Sequence, residues 1–356
     1  MALSWTPPPD WIRIETIDLH AEGEPLRVIS DGFPEPQGNT ILEKRRYAKQ
    51  NLDHLRKALM FEPRGHADMY GAILTDAVAN PDDQGDIGVL FTHNEGYSTM
   101  CGHGVIALTT MAFEIGALDA ETTRLGGRGN RPMLKLDTPA GRVTAFADWD
   151  AAAKRVRRVS FENVPSYAHA IDQHIDVPGL GPISFDIGFG GAFYAYVDVA
   201  ANKLNVRLNS EDYRAIIDIG MKIKHAVMQS QVIRHPFEED LGFLYGTILY
   251  DRAHDPANQS RNVCVFAEGE VDRSPTGTGV SGRVALEWAK GHLELNEPFT
   301  VESIIGTTFT GQVLRETTFG PHQAVVPEVS GCAWITGRHE FLIAPDDPLR
   351  EGFMLR

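Results

Sequence analysis

Two short glycine-rich stretches hold the side chains best suited to chemistry. The first, Met100-Cys101-Gly102-His103-Gly104, offers a thiol and an imidazole. The second, Asp272-Arg273-Ser274-Pro275-Thr276-Gly277-Thr278-Gly279, offers a carboxylate and hydroxyls. Each ends in Gly-x-Gly just before a segment of helical character. Glycine lets a ligand approach the backbone closely, and a helix start presents N–H groups with no partner inside the helix. Such a terminus favours an anion, and two of them face to face would hold one carboxylate between them. Asp272 lies four residues before Thr276 and can reach the same pocket, where its charge would pair with an ammonium. Helix starts for a carboxylate and an acid for an ammonium together specify an amino acid. By position alone Asp272 and Glu22 could equally be turn or surface acids.

Cys101 occupies a helix start, where a thiol pKa falls. A lone cysteine is more often a small buried hydrophobe. Cys264, within Val263-Cys264-Val265-Phe266, and Cys332 read that way, whereas Cys101 sits in a glycine-flanked loop. His103 could ligate a metal, but no HExxH or paired Cys/His spacing accompanies it, so no metal is expected. Gly277-Thr278-Gly279-Val280-Ser281-Gly282 also spells G-x-G-x-x-G. A dinucleotide fold needs that loop tight after a strand, with an acid about 20 residues on. Here Asp272-Arg273-Ser274-Pro275 intervenes and no acid stands in the right context, so that reading is set aside.

The elements around the two loops repeat. Tyr70-Gly71-Ala72-Ile73-Leu74-Thr75-Asp76 returns as Tyr245-Gly246-Thr247-Ile248-Leu249-Tyr250-Asp251, an offset of 175. At that offset Phe91 falls on Phe266, Gly102 on Gly277, Gly104 on Gly279 and Gly116 on Gly291. Asp137-Thr138-Pro139-Ala140-Gly141 resembles Glu302-Ser303-Ile304-Ile305-Gly306 with the offset slipped to 165. Each copy predicts strands (72–74 and 87–92; 247–250 and 262–267), the glycine loop, then a helix (105–115; 280–290) closed by a glycine. The first helix is apolar nearly all round, which marks a buried central one. Strands resume at 133–136 with 142–146, and at 299–305 with 308–314. The pattern predicts an α+β chain of two like units, 1–160 (with a C-terminal segment, about 335–356) and 161–334. A linker is expected near 161–182, which holds Pro165, Pro178 and Pro182, and a further helix at 212–229. Glu238-Glu239-Asp240 reads as a solvated turn.

With 356 residues the chain is long enough for two cores. Its net charge of −15 argues against nucleic acid or an anionic membrane as partner. No apolar run approaches the roughly 18 residues of a membrane span, and residues 1–11 lack the basic-then-apolar pattern of a leader. Three scattered cysteines suit a reducing compartment, so a cytoplasmic location is expected.

The two loops closely resemble the signature loops of the proline racemase family. His20-Ala21-Glu22-Gly23-Glu24-Pro25, Glu62-Pro63-Arg64-Gly65-His66 and Asp186-Ile187-Gly188-Phe189-Gly190-Gly191 add to the resemblance, which runs from about Ile14 to the C-terminus. It implies the diaminopimelate-epimerase-like fold, two pseudo-symmetric domains with the site in the cleft between them. It also implies a homodimer, no cofactor and a small amino-acid substrate. The family's racemases and epimerases carry a cysteine in both loops; here Thr276 stands in the second. That is the pattern of its trans-3-hydroxy-L-proline dehydratases. Racemisation needs an acid and a base on opposite faces of Cα. Dehydration needs Cα deprotonated once, so one cysteine suffices. Matched to the family, Cys101 is the base, and Gly102, His103, Gly277 and Thr278 bind the carboxylate. Asp272, with His103 assisting, holds the ring nitrogen. In the trans substrate the 3-hydroxyl shares a face with the Cα hydrogen, so a Cys101 thiolate could take that proton and return it to the departing hydroxyl. The alternative activity is hydroxyproline 2-epimerase or proline racemase.

Overall fold

Valine, isoleucine, threonine and aromatic residues recur along most of the chain, and they fold as strands. The computed structural model describes residues 5–79, 83–127 and 129–355; residues 1–4 of the start read above as leaderless lie outside it. The first half runs β1 (Ile12–Ala21), β2 (Glu24–Asp31), α1 (Ile41–Tyr47), α2 (Asp53–Met60), β3 (Gly71–Thr75), β4 (Ile87–Thr92) and α3 (Gly102–Glu114). It continues with β5 (Leu125–Gly126), β6 (Arg131–Thr138), β7 (Gly141–Asp150) and β8 (Arg155–Glu162). The second half opens with β9 (Tyr167–Val177), β10 (Gly181–Phe189), β11 (Phe193–Asp198), α4 (Tyr213–Ser230), β12 (Leu244–Asp251) and β13 (Ser260–Phe266). Then come β14 (Glu270–Val271), α5 (Gly277–Ala289), β15 (Phe299–Glu302), β16 (Thr308–Phe319), β17 (His322–Gly331) and β18 (Ala333–Ile343).

The duplication is visible in how strands pair. β1–β2 is antiparallel, β2–β3 parallel, β3–β4 antiparallel and β4–β6 parallel, and β6–β7–β8 is an antiparallel meander. The same sequence of senses recurs in β10–β11, β11–β12, β12–β13, β13–β15 and β15–β16–β17. β8 pairs with β17 and joins the two runs, β9 extends the second beyond β10, and β18 returns from the end of the chain to pair with β1. The two segments matched at the slipped offset, 137–141 and 302–306, are the turns of corresponding hairpins.

Each run of strands encloses one helix. α3 packs on β1, β2, β7, β8, β17 and β18, and α5 on β9, β10, β11, β16 and β17. Every residue of α3 from Gly102 to Phe113 is buried, as its all-round apolar character requires. Burying Val105, Ile106, Leu108, Met111 and Phe113 stabilises the fold by roughly 1.5–3 kcal/mol per side chain. Gly116 and Gly291, at φ +72° and +73°, close the two helices in the left-handed region, where a side chain would be strained. α4 is amphipathic, and Ile216, Ile219, Ile223 and Val227 form its buried stripe.

The segment expected as a linker is not one. Residues 161–182 complete β8, form all of β9 and begin β10, and the alternating polar residues of β9 face outward from a paired strand. Its prolines occupy places that need no ladder N–H: Pro165 before β9, Pro178 in the turn after it, Pro182 next to a strand start. Glu238-Glu239-Asp240 is exposed and leads into a single 3-10 turn, with Asp240 paired to Arg46 at 2.7 Å. Among the described residues no helix is long and apolar enough to cross a membrane.

Candidate active site

Each glycine loop lies between two parallel strands, β4 and β6 in one copy and β13 and β15 in the other. Such crossovers also occur in dinucleotide folds, but residues 93–101 separate β4 from α3, so the tight strand-to-helix turn is missing. The two helix starts meet instead. A Cβ built on Gly102 would stand 2.6 Å from the Cα of Gly277, and one on Gly277 would stand 2.7 Å from the Cα of Gly102. Only a pair of glycines permits that approach. The first-turn N–H groups of both helices, without acceptors in their own helices, therefore converge on one place.

A small, tightly closed cavity lies there, walled by Cys101, Gly102 and His103 from one loop and Asp272, Thr276, Gly277 and Thr278 from the other. Every site residue named from sequence is in that wall. Five further residues complete it: Tyr70, Met100, Tyr194, Tyr245 and Phe266. The Tyr194 hydroxyl lies 2.7 Å from Thr278 Oγ1, and the Tyr70 and Tyr245 hydroxyls lie 3.2 Å apart. Tyr70, Tyr245 and Phe266 were legible as positions of the repeat; nothing local marked Tyr194.

The two stations are unequal in backbone as well as side chain. Cys101 is extended (φ −142°, ψ 112°) and caps its helix, its Sγ accepting from Gly104 N–H at 3.2 Å. Thr276 sits at φ +67°, a region that costs a β-branched residue of order 1–3 kcal/mol, and it makes no side-chain cap. Its hydroxyl is buried, and it helps to hold the Asp272 carboxyl down against the effect of burial. The loop before it is tied by its own bonds: Ser274 N–H donates to Asp272 Oδ1 at 2.7 Å, and Thr276 N–H donates to Ser274 Oγ at 3.1 Å.

Electrostatics overturn one expectation. Burial pushes the Cys101 thiol well above its ordinary range, more than the Gly104 N–H offsets, and Asp272 and Glu24 add to the rise. A helix start acts over one turn, whereas desolvation acts through every apolar atom packed around the sulfur. His103 Nδ1 lies 3.1 Å from that sulfur, and burial holds its imidazole down at about 3, hence neutral. Cys264 is enclosed in β13 as expected, but Cys332 is only half-buried. Asp272 and Glu22 are both buried rather than surface acids. Glu22 turns to the backbone N–H of Cys332 at 2.9 Å, away from the cavity. Among the described residues no three His, Cys, Asp or Glu side chains gather as a metal site requires.

Burial also raises Asp272, to about 6, against the hydrogen bonds from Ser274. A carboxyl raised on folding contributes stability that is complete below its unfolded pKa, near 4, and is lost as pH rises through about 6. Asp272→Asn removes that loss. The variant should be more stable than wild type by about 1–3 kcal/mol at pH 8, with most of the gain gone at pH 4. Denaturant midpoints at the two pH values check this; an equal gain at both would refute a buried charge as the cause.

A family model described as proline racemase matches residues 16–354. The chain belongs to the proline racemase family. A trans-3-hydroxy-L-proline dehydratase of Colwellia psychrerythraea is 47% identical, over 97% of this chain and 94% of that one. A 3-hydroxyproline 2-epimerase of Burkholderia multivorans is 43% identical, over 96% and 98%. Among solved structures, a hydroxyproline epimerase from Agrobacterium vitis with bound trans-4-hydroxy-L-proline superposes with a TM-score of 0.85 at 28% identity, over 97% and 96%. The two α+β halves around central helices are the diaminopimelate-epimerase-like fold, and the two signature loops of this proline racemase family member are the ones that abut at Gly102 and Gly277.

Proposed function

We propose that this chain is a trans-3-hydroxy-L-proline dehydratase. One observation carries the reading: across the abutting helix starts from Cys101 stands Thr276, not a second thiol. A threonine hydroxyl is far too weak an acid to return a proton to Cα, so two-base inversion lacks half its machinery. Elimination needs only the other half.

The substrate carboxylate lies between the helix starts, on the N–H groups of Gly102, His103, Gly277 and Thr278. Asp272, with His103 beside it, holds the ring nitrogen. The entering ammonium brings positive charge toward the buried sulfur and favours its thiolate. Cys101 then takes the Cα proton, while the helix-start donors stabilise the charge that develops on the carboxylate. The electron pair of the broken C–H bond becomes the new ring double bond, and the 3-hydroxyl leaves with the C–O pair, taking a proton from an acid in the site to become water. The resulting enamine tautomerises to Δ1-pyrroline-2-carboxylate. The same reading divides the chain into units 1–160 with 335–356, and 161–334, supported by β18 pairing back onto β1. It also extends to a cytoplasmic homodimer.

The test is an assay of trans-3-hydroxy-L-proline, trans-4-hydroxy-L-proline and L-proline side by side. A pyrroline product from the first alone is expected. Accumulation of a Cα-inverted isomer from any of them, without pyrroline, would establish the epimerase reading instead. Thr276→Cys should add measurable Cα epimerisation of the hydroxyprolines, because it restores a thiol on the second face. A folded variant with no epimerisation would mean that Cys101 and residue 276 do not address opposite faces of one carbon.

A further inference from the structure

Dehydration requires a proton for the departing oxygen, since hydroxide itself is a poor leaving group. Tyr70 and Tyr245 are well placed to supply it. They are the first residues of the two matched repeat segments, 175 apart in sequence, and their hydroxyls meet at 3.2 Å in the wall of the cavity that holds Cys101 and Thr276. Both rings are buried and wedged. Tyr70 meets the His103 ring edge-on at 4.7 Å, and Tyr245 stacks on Phe266 at 5.3 Å. Burial pushes both phenols well above their ordinary range, so both hydroxyls stay protonated in the unliganded site, where releasing a proton costs more than it would in water. The His103 ring that Tyr70 meets has its Nδ1 3.1 Å from the Cys101 sulfur, so Tyr70 stands on the side of the cavity from which Cα is deprotonated. In a trans-3-hydroxy substrate the leaving hydroxyl is on that side too.

We propose that the Tyr70–Tyr245 hydroxyl pair receives the substrate's 3-hydroxyl and that Tyr70 protonates it as the C–O bond breaks. The proposal rests on the dehydratase reading. The Cα proton goes to the Cys101 sulfur, the C–H pair forms the C2=C3 bond, and the C–O pair leaves with oxygen. Oxygen takes the Tyr70 proton and becomes water. The Cys101 thiol then returns a proton to the Tyr70 phenolate, restoring thiolate and phenol together. Tyr245 holds Tyr70 in place and donates to, or accepts from, the same hydrogen-bond chain.

The two halves of this step separate in D2O. Tyr70→Phe keeps the ring and removes the proton, so dehydration turnover should fall about 100-fold or more. Recovered trans-3-hydroxy-L-proline should still gain deuterium at Cα, because Cys101 still works. Tyr245→Phe should lower kcat/KM for the same substrate about tenfold, the loss of one hydrogen bond to the donor. Dehydration by Tyr70→Phe within threefold of wild type would overturn the assignment. So would loss of deuterium uptake together with dehydration, which would mean that the Tyr70 hydroxyl only supports Cys101. A wild-type chain that forms no pyrroline sinks the dehydratase reading itself; one that does, with Tyr70→Phe unimpaired, sinks only the role of the phenols.

Discussion

Cys101→Ser is expected to lower pyrroline formation at least about a thousandfold, the scale of losing a positioned base whose replacement hardly ionises. Serine keeps the fold, because its hydroxyl can accept the Gly104 N–H that the sulfur now accepts, and serine is a good helix cap. Unfolding midpoints close to wild type should therefore accompany the lost turnover, which separates chemistry from stability. Turnover within tenfold of wild type would remove Cys101 from the proposed mechanism. The raised thiol adds a pH signature. Since burial favours the protonated sulfur, activity of the free enzyme should climb with pH past the ordinary thiol range, and no such limb should remain in the serine variant.

Gly277→Ala should lower kcat/KM about a hundredfold, the cost of misplacing a catalytic frame by roughly an ångström. Gly277 is a helical residue with no left-handed φ, so alanine there would ordinarily favour the helix. Its Cβ, however, would stand 2.7 Å from the Cα of Gly102 and 3.4 Å from His103 N. Neither is a flexible side-chain tip, so the helix starts must part. The N–H groups that converge on one carboxylate would then be spread, and the binding loss should appear in KM as well as kcat. Measuring both parameters with the unfolding midpoint checks this. A fully active variant would mean that the abutment does not position the substrate.

Much of this site was legible because it is local. Helix starts after Cys101 and Thr276, the closing glycines Gly116 and Gly291, and the all-apolar α3 depend on residues a few positions apart, and they fold as the pattern indicates. The mistaken linker shows the limit of that logic. Three prolines within 161–182 read as an interruption, yet they fall at strand starts and turns, and only the pairing of β9 with β10 reveals a strand between them.

The sequence by itself determined the duplication, the two stations, and the fact that one has a thiol and the other a hydroxyl. The α+β class and the buried central helix followed from local periodicity. Only the tertiary structure decided that Gly102 and Gly277 touch, that the Tyr70 and Tyr245 hydroxyls meet, and that Cys101 is held protonated while unliganded. The reason is the range of the forces. Capping bonds and helix dipoles act within one turn and can be read from neighbours. Desolvation and close packing sum over atoms from both copies, brought together from 175 residues apart when the two halves fold against each other.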